Sequence, residues 1–329
     1  MRRREFISLL GGVAVAWPLA GRAQQAGRMK RIGALMSIPI DDPQSLPRAT
    51  AFVQGLQELG WTVGRNVQID YRWGAIDAER ARKAASELIA LTPDVILVNS
   101  GVNTAILLQA TRTVPVVFVT AIDPVGAGLV ASLARPGGNA TGFSAADFSL
   151  AAKLLELLKE IAPRVARVAV LRDPSVPAGS APYGAIQGAA SSFRVEVVPI
   201  DTRDIDELER GITAFARTPN GGLILVAPFF ATRSRDLIIS LAARYRLPAA
   251  YPSSVFVSNG GLISYGPGPA DQYRLAAGYV DRILKREKPA DLPVQAPTKY
   301  LLALNMKTAN ALGLDVPASV LVRADEVIE

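Results

Sequence analysis

The sequence predicts an α/β protein built as two successive Rossmann-like lobes, each a parallel β-sheet flanked by helices. Short apolar runs bounded by turn residues alternate, from Arg31 onward, with stretches of helical periodicity, which is the pattern of βαβ units. The alternation runs to about Thr141, then starts again at Leu150. A chain of 329 residues, 50% hydrophobic and 20% charged, can bury two cores of this kind, and the same composition excludes a disordered chain.

Residues 1–23 precede the alternation and read as a cleavable export signal. Arg2-Arg3-Arg4-Glu5-Phe6 opens it, an apolar stretch runs from Ile7 to Ala20 with breaks at Gly11, Gly12 and Pro18, and Gly21-Arg22-Ala23 supplies a small-x-small site before Gln24. The apolar part falls short of the roughly 20 residues that span a bilayer. The paired arginines resemble a twin-arginine signal, although general secretory signals also begin with basic residues. With cleavage near Ala23 and no Cys to carry a lipid, the expectation is a chain released into a periplasm, with no stable membrane anchor and no disulfides.

In the first lobe, strands are predicted at Ile32 to Ile38, Val67 to Trp73, Val95 to Asn99, Val114 to Thr120 and near Thr141. Helices are predicted between them at Arg48 to Leu59, Ala78 to Leu91, Thr104 to Thr111 and Val125 to Leu133.

The second lobe opens with helix Leu150 to Ile161, where Leu154, Leu155, Leu157, Leu158 and Ile161 make one broad apolar face and Pro163 ends the run. Strands follow at Arg167 to Leu171, Val195 to Ile200, Leu223 to Val226 and Pro248 to Tyr251, with helices at Tyr183 to Phe193, Ile205 to Ala216 and Arg233 to Arg244. A last section does not simply extend either run: Gly261 to Tyr265, helix Gln272 to Arg286, an extended Leu292 to Leu304 holding Pro293 and Pro297, and helix Met306 to Leu312. It reads as the chain crossing back.

Ligands of open parallel sheets bind outside the carboxyl ends of the strands, so the residues just after each strand are the candidate site. They mix hydroxyls, amides, glycines and aromatics, the materials of a small-molecule cleft, and strand ends are also turn-rich in every α/β protein. Ser100 and Gly101 with Asn103 and Thr104 sit at a helix start, where free N–H groups hold a carboxylate or where Asn103 simply caps the helix. Thr120 ends a strand, and Asp123 before Pro124 can either receive an ammonium group or begin a helix. Gly142-Phe143-Ser144 follows the short strand near Thr141. Phe229, Phe230 and Tyr251 either face the cleft or pack into the core, since alternate strand residues point to opposite sides.

The composition excludes several chemistries. With no Cys and no His, the chain has no thiol nucleophile, no Cys/His metal site, no Ser-His-Asp triad and no imidazole acid or base. Gly126-Ala127-Gly128-Leu129-Val130-Ala131 fits a dinucleotide pattern but begins inside a predicted helix and not on a first strand-to-helix turn. Asp70, Asp77 and Glu79 lack helical metal-ligand spacing, and no cofactor or metal is expected. The chain carries +7, of which Arg2, Arg3, Arg4 and Arg22 against Glu5 account for +3, leaving +4 scattered along the mature chain, so nucleic acid is not an expected partner.

A family resemblance rests on particular strings: Asp123-Pro124-Val125 with Gly128-Leu129-Val130, then Arg135-Pro136-Gly137-Gly138-Asn139-Ala140-Thr141-Gly142. Later strings agree, namely Gly260-Gly261-Leu262-Ile263-Ser264-Tyr265-Gly266, Tyr279 to Lys285, Lys288 to Val294, and Asn305-Met306-Lys307-Thr308-Ala309 through Leu312-Gly313-Leu314. Over about Arg31 to Glu329 the chain resembles the ABC transporter substrate-binding family that includes tryptophan and tyrosine receptors. Arg286 stands where that family often has Gly.

The resemblance implies a type I periplasmic binding fold whose chain crosses between lobes three times, near Phe143, near Ser264 and near Pro293 to Pro297. Residues 30–142 plus 264–291 would then form the N-terminal lobe, and 143–263 plus 292–329 the C-terminal lobe. By position, Ser100 to Thr104, Thr120 and Asp123 would line one side of the cleft, and Phe143, Phe229, Phe230 and Tyr251 the other. The implied activity is non-enzymatic: a monomeric receptor captures a small molecule, with an amino acid or aromatic carboxylate as the leading class, and delivers it to an ABC permease and ATPase. Two rivals stay open, an exported sensor of the same fold and an α/β enzyme using Lys, Tyr or carboxylate chemistry.

Overall fold

The computed structural model describes residues 28–75, 77–145, 149–172, 180–201, 204–226, 234–268 and 270–329. The segment read as an export signal lies outside them, as do Phe229 and Phe230.

The first sheet has the order β2-β1-β3-β4-β5, formed by β1 Lys30–Leu35, β2 Val67–Arg72, β3 Val95–Asn99, β4 Val116–Ala121 and β5 Ala140–Ser144. Every pairing in it is parallel. Helices cover both faces, which is why β3 reads as the unbroken apolar run Val-Ile-Leu-Val and is buried at all five positions. Alternation decides which core each residue joins. Val95 and Leu97 pack with Phe52 and Leu56 of α1 (Ser45–Glu58) and with Tyr273, Ala276 and Val280 of α9 (Asp271–Leu284). Ile96 and Val98 pack on the other face with Ala85 and Leu88 of α2 (Ala78–Ala90) and Ile106 and Leu107 of α3 (Gly101–Ala110).

The second sheet has the order β12-β11-β10-β9-β8-β6-β7. Its strands are β6 Arg167–Arg172, β7 Glu196–Asp201, β8 Gly221–Leu225, β9 Ala249–Tyr251, β10 Ile263–Pro267, β11 Tyr300–Asn305 and β12 Glu326–Ile328. On one face Val168 and Val170 meet Leu154, Leu155 and Leu158 of α4 (Ser149–Ile161) and Ile186 of α5 (Ser180–Ala190). On the other, Ala169 and Leu171 meet Leu208 and Ile212 of α6 (Ile205–Phe215), Ile238 of α7 (Arg235–Arg244) and Phe256 of α8 (Ser254–Ser258). Helices α10 (Met306–Leu312) and α11 (Ala318–Arg323) complete the chain.

The chain passes between the sheets three times: from β5 to α4, from β10 to α9, and from the short Pro289–Asp291 turn through residues 292–299 to β11. The third passage runs beside the first, because Gln295 accepts the Ser144 N–H at 2.9 Å and donates its own N–H to Gly142 O at 3.0 Å. Coming back from the first sheet reverses the chain's direction, so β11 is antiparallel to β10, the exception among otherwise parallel pairings. Gly142 permits the close approach of β5 to β4: its φ is +152° and a Cβ there would lie 1.9 Å from Phe118 O.

Several expected elements differ. No helix forms at Val125 to Leu133; residues 124–128 are a run of turns. Gly126 and Gly128 weaken helical propensity, Gly128 takes φ +67°, and the Asp123 carboxylate ties back Gly126 N–H at 2.9 Å. Ser264, expected near a crossing, lies inside β10 opposite Tyr251, and the passage falls between Pro267 and Asp271. The helix predicted from Thr104 starts at Gly101, and α8, α11 and β12 had no predicted counterpart. Arg286, where relatives often carry Gly, is exposed with φ +79° in the left-handed region.

Candidate solute-binding site

The carboxyl edge of the first sheet gathers polar groups from elements far apart in sequence. Asn99 closes β3 and is buried; its Oδ1 accepts Ser37 N–H at 2.6 Å and its Nδ2 donates to Ser37 Oγ at 2.9 Å. This locks the segment after β1 to the end of β3. Ser100 follows with φ +77° and is itself the N-cap of α3, its Oγ accepting Asn103 N–H at 3.3 Å. Thr104 Oγ1 donates back to Ser100 O at 2.7 Å, while Asn103 turns its buried amide to Ala75 O at 3.1 Å. The cap therefore falls to Ser100, and Asn103 braces the loop after β2.

Thr120 also has positive φ, +58°, and its N–H donates to Gln272 Oε1 at 3.1 Å. Gln272, buried in the first turn of α9, donates its amide to Ser144 O at 2.6 Å. One side chain thus joins the end of β4, the end of β5 and the start of α9. Asp123 holds its own turn through Gly126.

The aromatic candidates divide. Phe143 is 2% exposed and packs in the first-lobe core, its ring centroid 4.9 Å from that of Tyr279. Tyr251 is 1% exposed and stacks on Phe256 at 4.8 Å inside the second-lobe core, where burial pushes its hydroxyl pKa up. Both rings pack into the core of their own lobe, as their strand parity directs. Phe229 and Phe230 lie outside the described residues.

Two residues at this edge carried no signal in the sequence. Arg48, on the first turn of α1, holds its guanidinium carbon 5.8 Å from the centroid of the Tyr273 ring and hydrogen-bonds Gln44 through Nη2. The Tyr273 hydroxyl is fully buried without a hydrogen-bond partner; burial raises its pKa, and the nearby Arg48 and Asn99 pull it back down. Only the fold brings α1 and α9 together, so no local spacing could have announced the pair. Among the described residues no cluster of three or more acidic side chains could hold a metal, and no helix is long and apolar enough to cross a membrane.

Comparison with known proteins agrees with this architecture. A curated relative, the tyrosine-binding protein of Clostridioides difficile, is 24% identical over 293 residues, covering 87% of this chain and 82% of that protein. A conserved domain protein from Vibrio cholerae superposes with a TM-score of 0.83 at 25% identity, over 91% of this chain and all of that one. A Streptococcus pneumonia structure in complex with L-Trp gives 0.84 at 24% identity, over 92% of this chain and 100% of its own. The ligand-free, open structure of a Clostridium difficile substrate-binding protein with adhesive properties gives 0.70 at 25%, over 91% and 99%. The fold is that of type I periplasmic binding proteins. The profile described as ABC transporter substrate-binding protein matches residues 35–328, nearly the whole described chain. Its members are receptors for small-molecule solutes that work with ABC transporter components, and not enzymes. Two sheets joined by three passages and this match together place the chain in the ABC transporter substrate-binding protein family.

Proposed function

We propose that the chain is the exported solute receptor of an ABC importer, taking an amino acid or an aromatic carboxylate into the cleft between its lobes. The observation that carries the mechanism is the knot where the three passages meet: Gln272 ties Thr120 and Ser144, and Ser144 is bonded in turn to Gln295. Such a knot lets two rigid lobes turn about one short axis. Solute docks on one lobe, the other folds over it, and tighter binding to the closed arrangement supplies the shift. Segment Ser100 to Thr104, with Thr120 and Asp123, borders the cleft on the first lobe. The amino-acid class draws support from relatives described as tyrosine-binding and as an L-Trp complex. Residues 1–23 direct export, and the receptor acts as a periplasmic monomer serving a permease and its ATPase.

The test is a thermal-unfolding scan of the chain from Gln24 against amino acids, aromatic carboxylates, sugars and purines. A solute at about 100 times its dissociation constant adds roughly 2.7 kcal/mol. A shift confined to amino acids or aromatic carboxylates, with the solute recovered unchanged, supports the reading. Chemical turnover of a hit sinks the receptor, and a shift with sugars alone sinks the proposed class.

A further inference from the structure

The other half-buried cations of the first lobe are paired, Lys30 with Asp94, Arg31 with Asp70 and Arg72 with Glu87, and the unpaired ones, such as Arg65, Arg82 and Arg112, are exposed to solvent. Arg48 has no carboxylate partner among the described residues. Its Nη2 is engaged by Gln44, yet its Nε is shut off from solvent with nothing to donate to, and the Tyr273 hydroxyl is in the same condition. Burying a charged donor without an acceptor is costly, so the arrangement calls for an anion that the chain itself does not provide.

The place is also the right one. Arg48 rises from the segment that follows β1, and Asn99, which closes β3, lies beside the Tyr273 hydroxyl. Both groups stand outside the carboxyl ends of parallel strands, where ligands of such sheets bind. The ring of Tyr273 under the guanidinium fixes its position by cation–π contact. A single guanidinium among neutral donors matches one negative charge, whereas a phosphate dianion calls for a second cation.

We infer that Arg48 is the anion-binding point of the cleft and takes the carboxylate of the captured solute, with the Tyr273 hydroxyl as a second donor. The inference rests on the receptor reading above and adds to it the chemical group that recognition requires. It moves that role from the capped start of α3, where Ser100 already occupies Asn103 N–H, to a side chain on α1.

Isothermal titration of the mature chain tests it with matched probes: L-tryptophan, L-tyrosine and indole-3-propionate, against L-tryptophanamide, tryptamine, inorganic phosphate and neutral sugars. Wild type is expected to bind among the carboxylates and to lose a carboxylate ligand by roughly 30-fold or more when the amide replaces it. R48Q should lose a similar factor, R48K less, and Y273F a smaller part. Removing a half-buried guanidinium with no carboxylate partner among the described residues and an unsatisfied Nε offsets the loss of its Gln44 and Tyr273 contacts. Ligand-free R48Q should therefore melt within about two degrees of wild type, the width of a neutral surface change, which separates lost recognition from lost folding. Unchanged carboxylate affinity in R48Q overturns the inference and leaves the receptor standing. Preference for amides, phosphate or sugars overturns it as well, and so does a wild type that ignores every carboxylate.

Discussion

Asp94 shows how one carboxylate can fasten a strand to a loop. It accepts Arg31 N–H at 2.8 Å and Lys30 Nζ at 2.9 Å. Partial burial acts to raise its pKa, but the Arg31 N–H and Lys30 outweigh that and hold the carboxyl below the ordinary range. A depressed folded value means stabilisation that is present above the unfolded pKa of about 3.9 and lost as pH falls through the folded one. Asp94→Asn is therefore expected to cost about 1 kcal/mol at neutral pH in urea unfolding, with the gap to wild type closing in acid. Residue-scale chemistry of this local kind is readable in part: a capped helix start was expected among Ser100 to Thr104, but the cap is Ser100 and not Asn103, and the helix begins at Gly101. Tyr251 and Phe143 were not, because strand parity says that alternate residues part company without saying which way the first one faces. Arg48 and Tyr273 escaped for a different reason, since each is unremarkable until α1 and α9 are laid side by side.

Helix α1 meets α9 at unusually short range. A Cβ on Gly55 would come within 2.8 Å of Ala277 Cβ and 2.9 Å of Arg274 O, contacts that only a hydrogen can occupy. Gly55→Val should force the pair apart and cost roughly 1–3 kcal/mol, read as a lower midpoint in urea with an unchanged slope. Most elements were legible because each lies in a long apolar rhythm; β3 was predicted and found at Val95–Asn99. The failures cluster where rhythm is short or misleading. Residues 125–133 have helical spacing, but two glycines and an Asp123 turn outbid it. Strand β12 has three residues and owes its existence to pairing with β11, a partner that only the fold supplies.

At the scale of the whole molecule, the knot at Gln272 is both structural and mechanical. Gln272→Ala leaves Thr120 N–H and Ser144 O without their partner, and should cost about 2 kcal/mol while speeding amide exchange at Thr120. Unchanged exchange there would separate the knot from any hinge role. The two-lobed plan was legible because the strand–helix alternation restarts at Leu150. Of the passages, those near Phe143 and near Pro293 to Pro297 fell where the family resemblance put them and the one near Ser264 did not, since a strand such as β10 carries no mark of which sheet it will join.

The second passage has one more consequence, which concerns the order of manufacture. The apolar face of the first sheet formed by Ile32, Leu97 and Val117 is covered by Tyr273, Ala276 and Val280, residues made only after β6 to β10. While the chain is being synthesised, α1 alone shields that face, and the part that α9 covers stays open until Leu284 has emerged. A product truncated before α9 ends with an uncovered apolar surface instead of a finished first lobe.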